Sequence, residues 1–443
     1  MNFVRPGSHS KTTAAQVLSV FERIAGGALA VRVRCWDGSV AGPTAAAVTV
    51  VFRRRRALRR ILWSPNELGF ARAYVSGDLD VDGDIFALLD GPDVIERVAR
   101  RDLHELGRRE LGRIAVAFLR LGAVGVRPPP PAEEVIRPRG IKHSKMRDAA
   151  AVSHHYDVGN DFYRMILGPS MIYSCGYWRK ADGGALQDAQ QGKLDLVCTK
   201  LGLAPGMRLL DVGCGWGSMA IHAAAHYGVS VVGVTLSREQ RELALARVAE
   251  AGLSDRVQIR LQDYRDVDDG PYDAISSIGM SEHVGDSQLD EYAAKLMALL
   301  RPQGRLLNHA IASVAPVARD NHPAPTFVDS YIFPDGELLP LSRTLDALER
   351  AGFETRDCEA LREHYGLTLR EWVDNLRDCW EDAVGLVGAA RARTWLLYLA
   401  ASALSFEQGH ITIHQVLAVR RDSRGASAMP RTREQWLAAL PTG

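Results

Sequence analysis

LLDVGCGWGSMAIHAAAHYG, residues 209–228, is the stretch whose reading decides the fold. An apolar run meets Gly213, Gly215 and Gly217 and then opens a helical segment. Glycines at such a turn let the backbone bend sharply and come close to a ligand, with a helix N-terminus behind it. The spacing differs from the G-x-G-x-x-G fingerprint of a pyrophosphate site. Asp211, just ahead of the glycines, offers a carboxylate that can accept from the ammonium of an amino-acid moiety or orient the loop. A sulfonium amino acid joined to adenosine therefore suits this turn better than a dianionic pyrophosphate.

Outward from that turn, apolar segments recur between helical patterns: MRLLDVG (207–213), VSVVGVT (229–235), VQIRLQD (257–263), DAISSIG (273–279) and GRLLNHAIA (304–312). This is the rhythm of a doubly wound α/β domain with a parallel sheet. Where an acid would usually meet ribose hydroxyls after the second strand, Thr235 and Gln240 are the available polar groups. After the third, Gln262, Asp263, Tyr264 and Arg265 can frame an adenine edge and face. Residues two apart on a strand share a face, so His309 and Ile311 point the same way at the end of GRLLNHAIA. Glu282 follows DAISSIG at the same sheet edge, so the polar groups are expected to converge. A buried Glu without a Lys or Arg in its own motif is costly unless it is hydrogen-bonded or functional.

Upstream, AAAVTVVF (45–52) reads as a strand, while 67–89 and 109–126 read as helical, giving a smaller N-terminal α/β region. Pro128 to Pro131 cannot continue a helix and mark a stiff linker. The expected division is 1–127, a Pro-rich and basic linker at 128–150, a main domain at 151–421 and a polar tail at 422–443, with both termini frayed.

The 443 residues are 47% hydrophobic and 24% charged, enough for domains with real cores. A net charge of +1 points away from a nucleic-acid partner. The run Arg53, Arg54, Arg55, Arg56, Arg59 and Arg60 reads either as a solvated helix face or as a surface drawn to anionic lipid. No window spans a bilayer, and MNFVRPGSHSKTT lacks the apolar core of a secretory signal, so a cytoplasmic protein is expected. Cys35, Cys175, Cys198, Cys214, Cys358 and Cys379 stand singly and are expected to be free thiols. His154, His155 and His283 fit no ligand spacing, so no metal is expected.

From about His154 to Val419 the chain resembles the cyclopropane-fatty-acyl-phospholipid synthases and the related mycolic-acid cyclopropane synthases. The resemblance rests on HHYDVGNDFYRMILGPSMIYSCGYW (154–178), LDVGCGWGSMAIHAA (210–224), VVGVTLSREQ (231–240), DYRDV (263–267), SIGMSEHVG (277–285), LLNHAIAS (306–313), YIFPDGELLP (331–340) and HYGLTLREW (364–372). It implies a class I S-adenosylmethionine-dependent methyltransferase domain of Rossmann-like fold, with a smaller N-terminal α/β lipid-binding domain. It also implies a bicarbonate ion acting as general base. Carried over residue by residue, the bicarbonate cradle falls on Cys175, Glu282, His309, the backbone at Ile311 and Tyr365. Cofactor contacts fall on Tyr173, Ser174, the loop from Asp211 to Gly217, Thr235, Leu236, Gln240, Tyr264 and Arg265. Some relatives carry a cysteine where this chain has Ser402, which argues against a mechanism needing a thiol there.

An unactivated alkene is a feeble nucleophile, so the chemistry implied needs alignment with the sulfonium methyl and exclusion of water. Methyl transfer leaves a carbocation, for which Tyr156, Phe162, Tyr173, Tyr177, Trp178 and Tyr331 are candidate ring faces. Proton loss from the new methyl closes a cyclopropane, and loss from a neighbouring carbon gives a methyl- or methylene-branched chain. The expected substrate is an unsaturated phospholipid acyl chain met peripherally at the inner face of the membrane, and bacterial relatives suggest a homodimer. Rival readings are a methylene-branched product, a lipid-binding protein with a vestigial cofactor site, and methylation of a small soluble amine or hydroxyl.

Overall fold

The computed structural model describes residues 12–89, 108–135, 142–148, 158–180, 184–314 and 326–438. Contacts divide the chain into two units. One combines Met1–Val135, Ala324–Tyr331 and Gly388–Leu404, and the other takes Ile136–Pro323, Ile332–Val387 and Ser405–Gly443.

In the first unit, Thr12 Oγ1 accepts from the Ala15 N–H and starts the helix Thr13–Ala25. Four strands, β1 (Arg32–Cys35), β2 (Val40–Ala41), β3 (Val48–Phe52) and β4 (Leu79–Gly83), form a sheet in the order β2-β1-β3-β4. The helical expectation for 67–89 needs correction. That stretch is a helix over Glu67–Val75, then β4, then a short helix over Ile85–Leu89. Gly77, at φ +68°, lets the chain leave the helix. The alternation Leu79-Asp80-Val81-Asp82 then has strand period and pairs antiparallel with β3. The 109–126 stretch is helical over Arg108–Arg120.

The arginine run is largely neutralised. Fully buried Asp78 accepts from Arg56 and Arg60, Arg60 itself being 6% exposed, and Arg53 pairs with Asp80. With Arg54 also 4.0 Å from Asp78, four of the six are committed to ion pairs, and a uniform cationic face is not what the fold builds.

The second unit holds a seven-stranded sheet: β5 (Arg208–Val212), β6 (Ser230–Thr235), β7 (Val257–Leu261), β8 (Tyr272–Ile278), β9 (Leu300–Ser313), β10 (Glu354–Ala360) and β11 (Ile411–Val419), ordered β10-β11-β9-β8-β5-β6-β7. β5 to β9 are mutually parallel, while β11 runs antiparallel to both β9 and β10. Both faces are buried. Leu209, Val231 and Ile259 join one core with Ala220 and Val197, while Leu210, Val212 and Leu306 join another with Tyr272 and Leu296. That two-sided burial is why these strands read as unbroken apolar runs. Strand order reverses between β5 and β8, and open α/β sheets place their ligands outside the strand ends at such a point.

Over the described residues 422–438 the C-terminal stretch is anchored rather than frayed. Gln303 Nε2 donates to Asp422 Oδ2 at 2.8 Å, Arg433 pairs with Asp357, and Trp436 is buried on the helix Arg433–Leu437. The polar composition hid these anchors, since two of them are polar contacts to residues far away in sequence. The predicted fraying of residues 1–11 lies outside the described residues. All six cysteines are free, four of them buried.

Candidate active site

Past the ends of β5, β6 and β8 lies a cleft of about 980 Å³, counting space open to solvent. Tyr173, Ser174, Asp211, Gly213, Gly215, Thr235, Leu236, Gln240, Gln262 and Tyr264 line it. Gly213 and Gly215 sit at φ +75° and +52°, a conformation that side chains with a Cβ resist. Gly217 does not line the cleft. A Cβ there would come within 3.2 Å of Ala244 Cβ, so its part is to let the helices Ser218–Tyr227 and Arg238–Glu250 approach.

The polar groups of the cleft are partly satisfied from within. Thr235 Oγ1 and Gln240 Oε1 are bonded at 2.7 Å. Asp211 Oδ1 accepts from Ser276 Oγ at 2.7 Å, while its buried Oδ2 has no partner. Burial pushes the Asp211 carboxyl up to about 6, against the opposing pull of Ser276 and Lys193. Asp263 and Arg265 turn elsewhere. Arg265 donates to Asp263 at 2.7 Å and to Asp148 at 2.9 Å, and the pair lines an adjoining cavity with Ile332, Phe333 and Asp335.

A second group gathers around the ends of β9 and β11. Gly279, on the cleft wall, donates to the His309 carbonyl at 2.8 Å, which ties the backbone of β9 at His309 to that wall. The Ile311 N–H donates to Glu282 Oε1 at 2.7 Å, leaving Oε2 buried and without a partner. Ile311 pairs across the sheet with Ile413, whose carbonyl accepts from Leu361 N–H. The Leu361 carbonyl in turn accepts from Tyr365 N–H at 3.2 Å and lies 3.7 Å from Cys175 Sγ. Glu282, Ile311, Tyr365 and Cys175 are thus linked through the backbones of Ile413 and Leu361, and His309 stands two residues before Ile311 on β9. Burial pushes Glu282 up to about 7, drives His309 well below the usual histidine range, and raises the Cys175 thiol. His309 Nδ1 lies 3.1 Å from Gln415 Nε2, and its Nε2 is buried and unpartnered. With Gln415 donating, the imidazole proton belongs on Nε2, where it can meet an anion.

Residues 143–416 match the family model described as mycolic acid cyclopropane synthetase. The chain belongs to this family. It is 41% identical over 433 residues to a probable fatty acid methyltransferase of Mycobacterium tuberculosis, covering 95% of this chain and 97% of that one. It is 39% identical over 282 residues to the cyclopropane-fatty-acyl-phospholipid synthase of Escherichia coli (strain K12), covering 64% and 71%. A mycolic acid cyclopropane synthase solved with SAH and CTAB superposes with a TM-score of 0.57 at 34% identity, covering 61% of this chain and 97% of that chain. The cyclopropane synthetase family member described here is therefore an S-adenosylmethionine-dependent methyltransferase on a Rossmann-like class I domain.

The residues present fit that cofactor. The unpartnered Asp211 Oδ2 suits an ammonium, and positive-φ glycines leave room for a close ligand. They also fit a small oxyanion, since the unpartnered Glu282 Oε2 can take an O–H and His309 Nε2 can donate to an oxygen. Of the candidate rings, Tyr173 belongs to an aromatic wall with Tyr163, Trp216 and Trp372, and Trp372 meets Tyr365. Phe162 is buried beside Tyr163, while Tyr177 stacks on His364 and Trp178 Nε1 donates to the His364 carbonyl. Tyr331 belongs to the first unit, bonded to Glu134. Tyr156, His154 and His155 lie outside the described residues. Sequence reasoning missed Lys193, Met280 and, as a lining residue, His283, while Trp216 was covered by the loop from Asp211 to Gly217. Lys193 gave no signal within its helix.

Proposed function

We propose that this methyltransferase alkylates the cis double bond of an unsaturated phospholipid acyl chain and gives a cyclopropane fatty acid. What supports the reading is that two side-chain atoms, Glu282 Oε2 just after β8 and His309 Nε2 near the end of β9, are buried without hydrogen-bond partners. Buried polar atoms without partners are costly and call for a ligand or a reaction. The fatty-acyl activities carried in the names of the relatives support an acyl chain as substrate.

Bound in these places, S-adenosylmethionine supplies an electrophilic methyl and bicarbonate a base. Ser174, Asp211, Thr235 and Gln240 hold and orient the cofactor end of the reaction. Tyr173, Trp216 and Trp372 exclude water and present ring faces that favour a developing cation. Glu282, fixed through Oε1, offers Oε2 as a seat for the released proton, and a carboxyl near 7 exchanges it readily at neutral pH. His309 stays neutral and orients the anion from Nε2, with Gln415 fixing its ring. Cys175 and Tyr365 close the cradle. Cys175 acts as a neutral thiol, because its environment disfavours the thiolate.

This reading puts the protein in the cytoplasm, peripherally on the inner face of the membrane where such chains lie, as a homodimer. No helix of the described residues is long and apolar enough to cross a membrane. The N-terminal unit is assigned to holding the lipid. Incubation with labelled S-adenosylmethionine and a mono-unsaturated phospholipid tests the proposal. A product one CH₂ heavier and free of double bonds supports it. A heavier product that keeps its unsaturation moves the assignment to a methylene- or methyl-branched chain, and no labelled lipid overturns both.

A further inference from the structure

The helix Leu186–Leu201 carries two lysines buried to 2% and 0% exposure, Lys193 and Lys200. Their surroundings differ. Lys200 Nζ meets the carboxylates of Glu359 and Asp357, the latter at 3.4 Å. Lys193 Nζ donates to the hydroxyl of Ser174 at 3.0 Å, and among the described residues no carboxylate stands within ion-pair distance of it. A buried ammonium with a single neutral acceptor is an expensive arrangement. Packing alone would be served better by Met or Leu at that position.

Lys193 lines the cofactor cleft together with Ser174 and Asp211. Asp211 is the complementary case, a buried carboxylate with Oδ1 held by Ser276 and Oδ2 without a partner. Burial pushes Lys193 down to about 8 and Asp211 up to about 6, each shift opposed in part by the attraction of the other. One cleft therefore holds a cation and an anion, each short of partners and not joined to one another. A zwitterion satisfies both, and charge-assisted hydrogen bonds are the strong ones.

We propose that Lys193 binds the α-carboxylate of the methionine end of S-adenosylmethionine, opposite Asp211 at its α-ammonium, and so makes the cleft selective for the intact amino acid. Of the three protons on Nζ, one goes to Ser174 Oγ and orients the ammonium, leaving two for the carboxylate. Ser174 thereby acts through Lys193 as a positioning residue.

The test is calorimetric binding to the full chain of two ligands, S-adenosylmethionine and its decarboxylated analogue, for the wild type and Lys193→Met. Being a binding measurement, it does not depend on which lipid is alkylated. The wild type is expected to prefer the carboxylated ligand by about tenfold or more. Lys193→Met is expected to weaken S-adenosylmethionine by about 10- to 100-fold while moving the decarboxylated analogue by no more than about twofold, so the preference collapses. Equal weakening of both ligands, or no weakening of either, overturns the proposal. Should Lys193→Met fail to fold, the wild-type pair decides: equal affinity for the two ligands contradicts the assignment, and a tenfold preference sustains it.

Discussion

The Ile311 N–H donates to Glu282 Oε1 at 2.7 Å, and this bond ties the short helix after β8 to the end of β9. It holds a carboxylate still while leaving its second oxygen uncommitted. Burial without an arginine or lysine partner makes Glu282 a group that the fold carries at a cost, in a place where proton transfer would use it.

Glu282→Gln is expected to raise stability while abolishing activity. The carboxyl rises from 4.5 to about 7 on folding, so the folded state holds its proton more tightly than the unfolded chain. Such a group destabilises the fold progressively as pH climbs from 4.5 to about 7, and by a constant amount above that. Gln keeps the acceptor for Ile311 and removes the charge. Thermal unfolding near pH 8 should show the variant more stable by about 1–3 kcal/mol, with the gap narrowing towards pH 5. A variant less stable than the wild type at pH 8 contradicts this account of Glu282.

Cofactor affinity is expected to fall on the acid side of about pH 6. Asp211 is raised to about 6 by burial, so below that pH it is increasingly neutral and has no charge to offer an ammonium. The dissociation constant for S-adenosylmethionine should rise by up to about tenfold per pH unit there and level off above about 6, until the Lys193 ammonium begins to lose its proton towards pH 8. Asp211→Asn should bind about tenfold more weakly and lose that acid limb. Calorimetry across pH 5 to 8 checks both, and an unchanged acid limb in Asp211→Asn assigns the titration to another group.

The Gly turn and five parallel strands were legible because two-sided burial writes itself as unbroken apolar runs and the turn needs glycine. β10, ETRDCEA, was not. Two of its acids are held by partners distant in sequence, Asp357 and Glu359 by Lys200 and Asp357 again by Arg433, and pairing with β11 makes it a strand. Lys193 reads as one more polar position on a helix, and only tertiary packing reveals that it faces the cleft. Asp263 and Arg265 were named as cofactor contacts with Gln262 and Tyr264. The chain turns the first pair towards Asp148 and the second into the cleft, a choice of side-chain direction that spacing does not encode.

Removal of dissolved bicarbonate is expected to slow the enzyme. In carbon-dioxide-free buffer the rate should drop at least about tenfold, consistent with the loss of a positioned base, and recover in a saturable way on adding bicarbonate. Glu282→Gln should show no such recovery. A wild-type rate indifferent to bicarbonate would assign the base to Glu282 or His309 alone.

Asp78 anchors the arginines of the first unit. Its carboxylate is fully buried and accepts from Arg56 at 2.7 Å and from the buried Arg60 at 2.9 Å. Asp78→Ala strands the Arg60 charge inside the fold and should cost about 3–5 kcal/mol in denaturant unfolding. A loss under about 1 kcal/mol means that the arginines find other partners.

The most direct test compares lipid alkylation by the wild type with that by Glu282→Gln and His309→Ala, each verified as folded and saturated with S-adenosylmethionine. With cofactor affinity within about twofold of the wild type, both variants should transfer the labelled methyl to a mono-unsaturated phospholipid at least about 100-fold more slowly, the loss expected of a positioned acid–base group. Transfer at the wild-type rate by either variant would contradict the assignment of this pair to holding the base and taking up its proton.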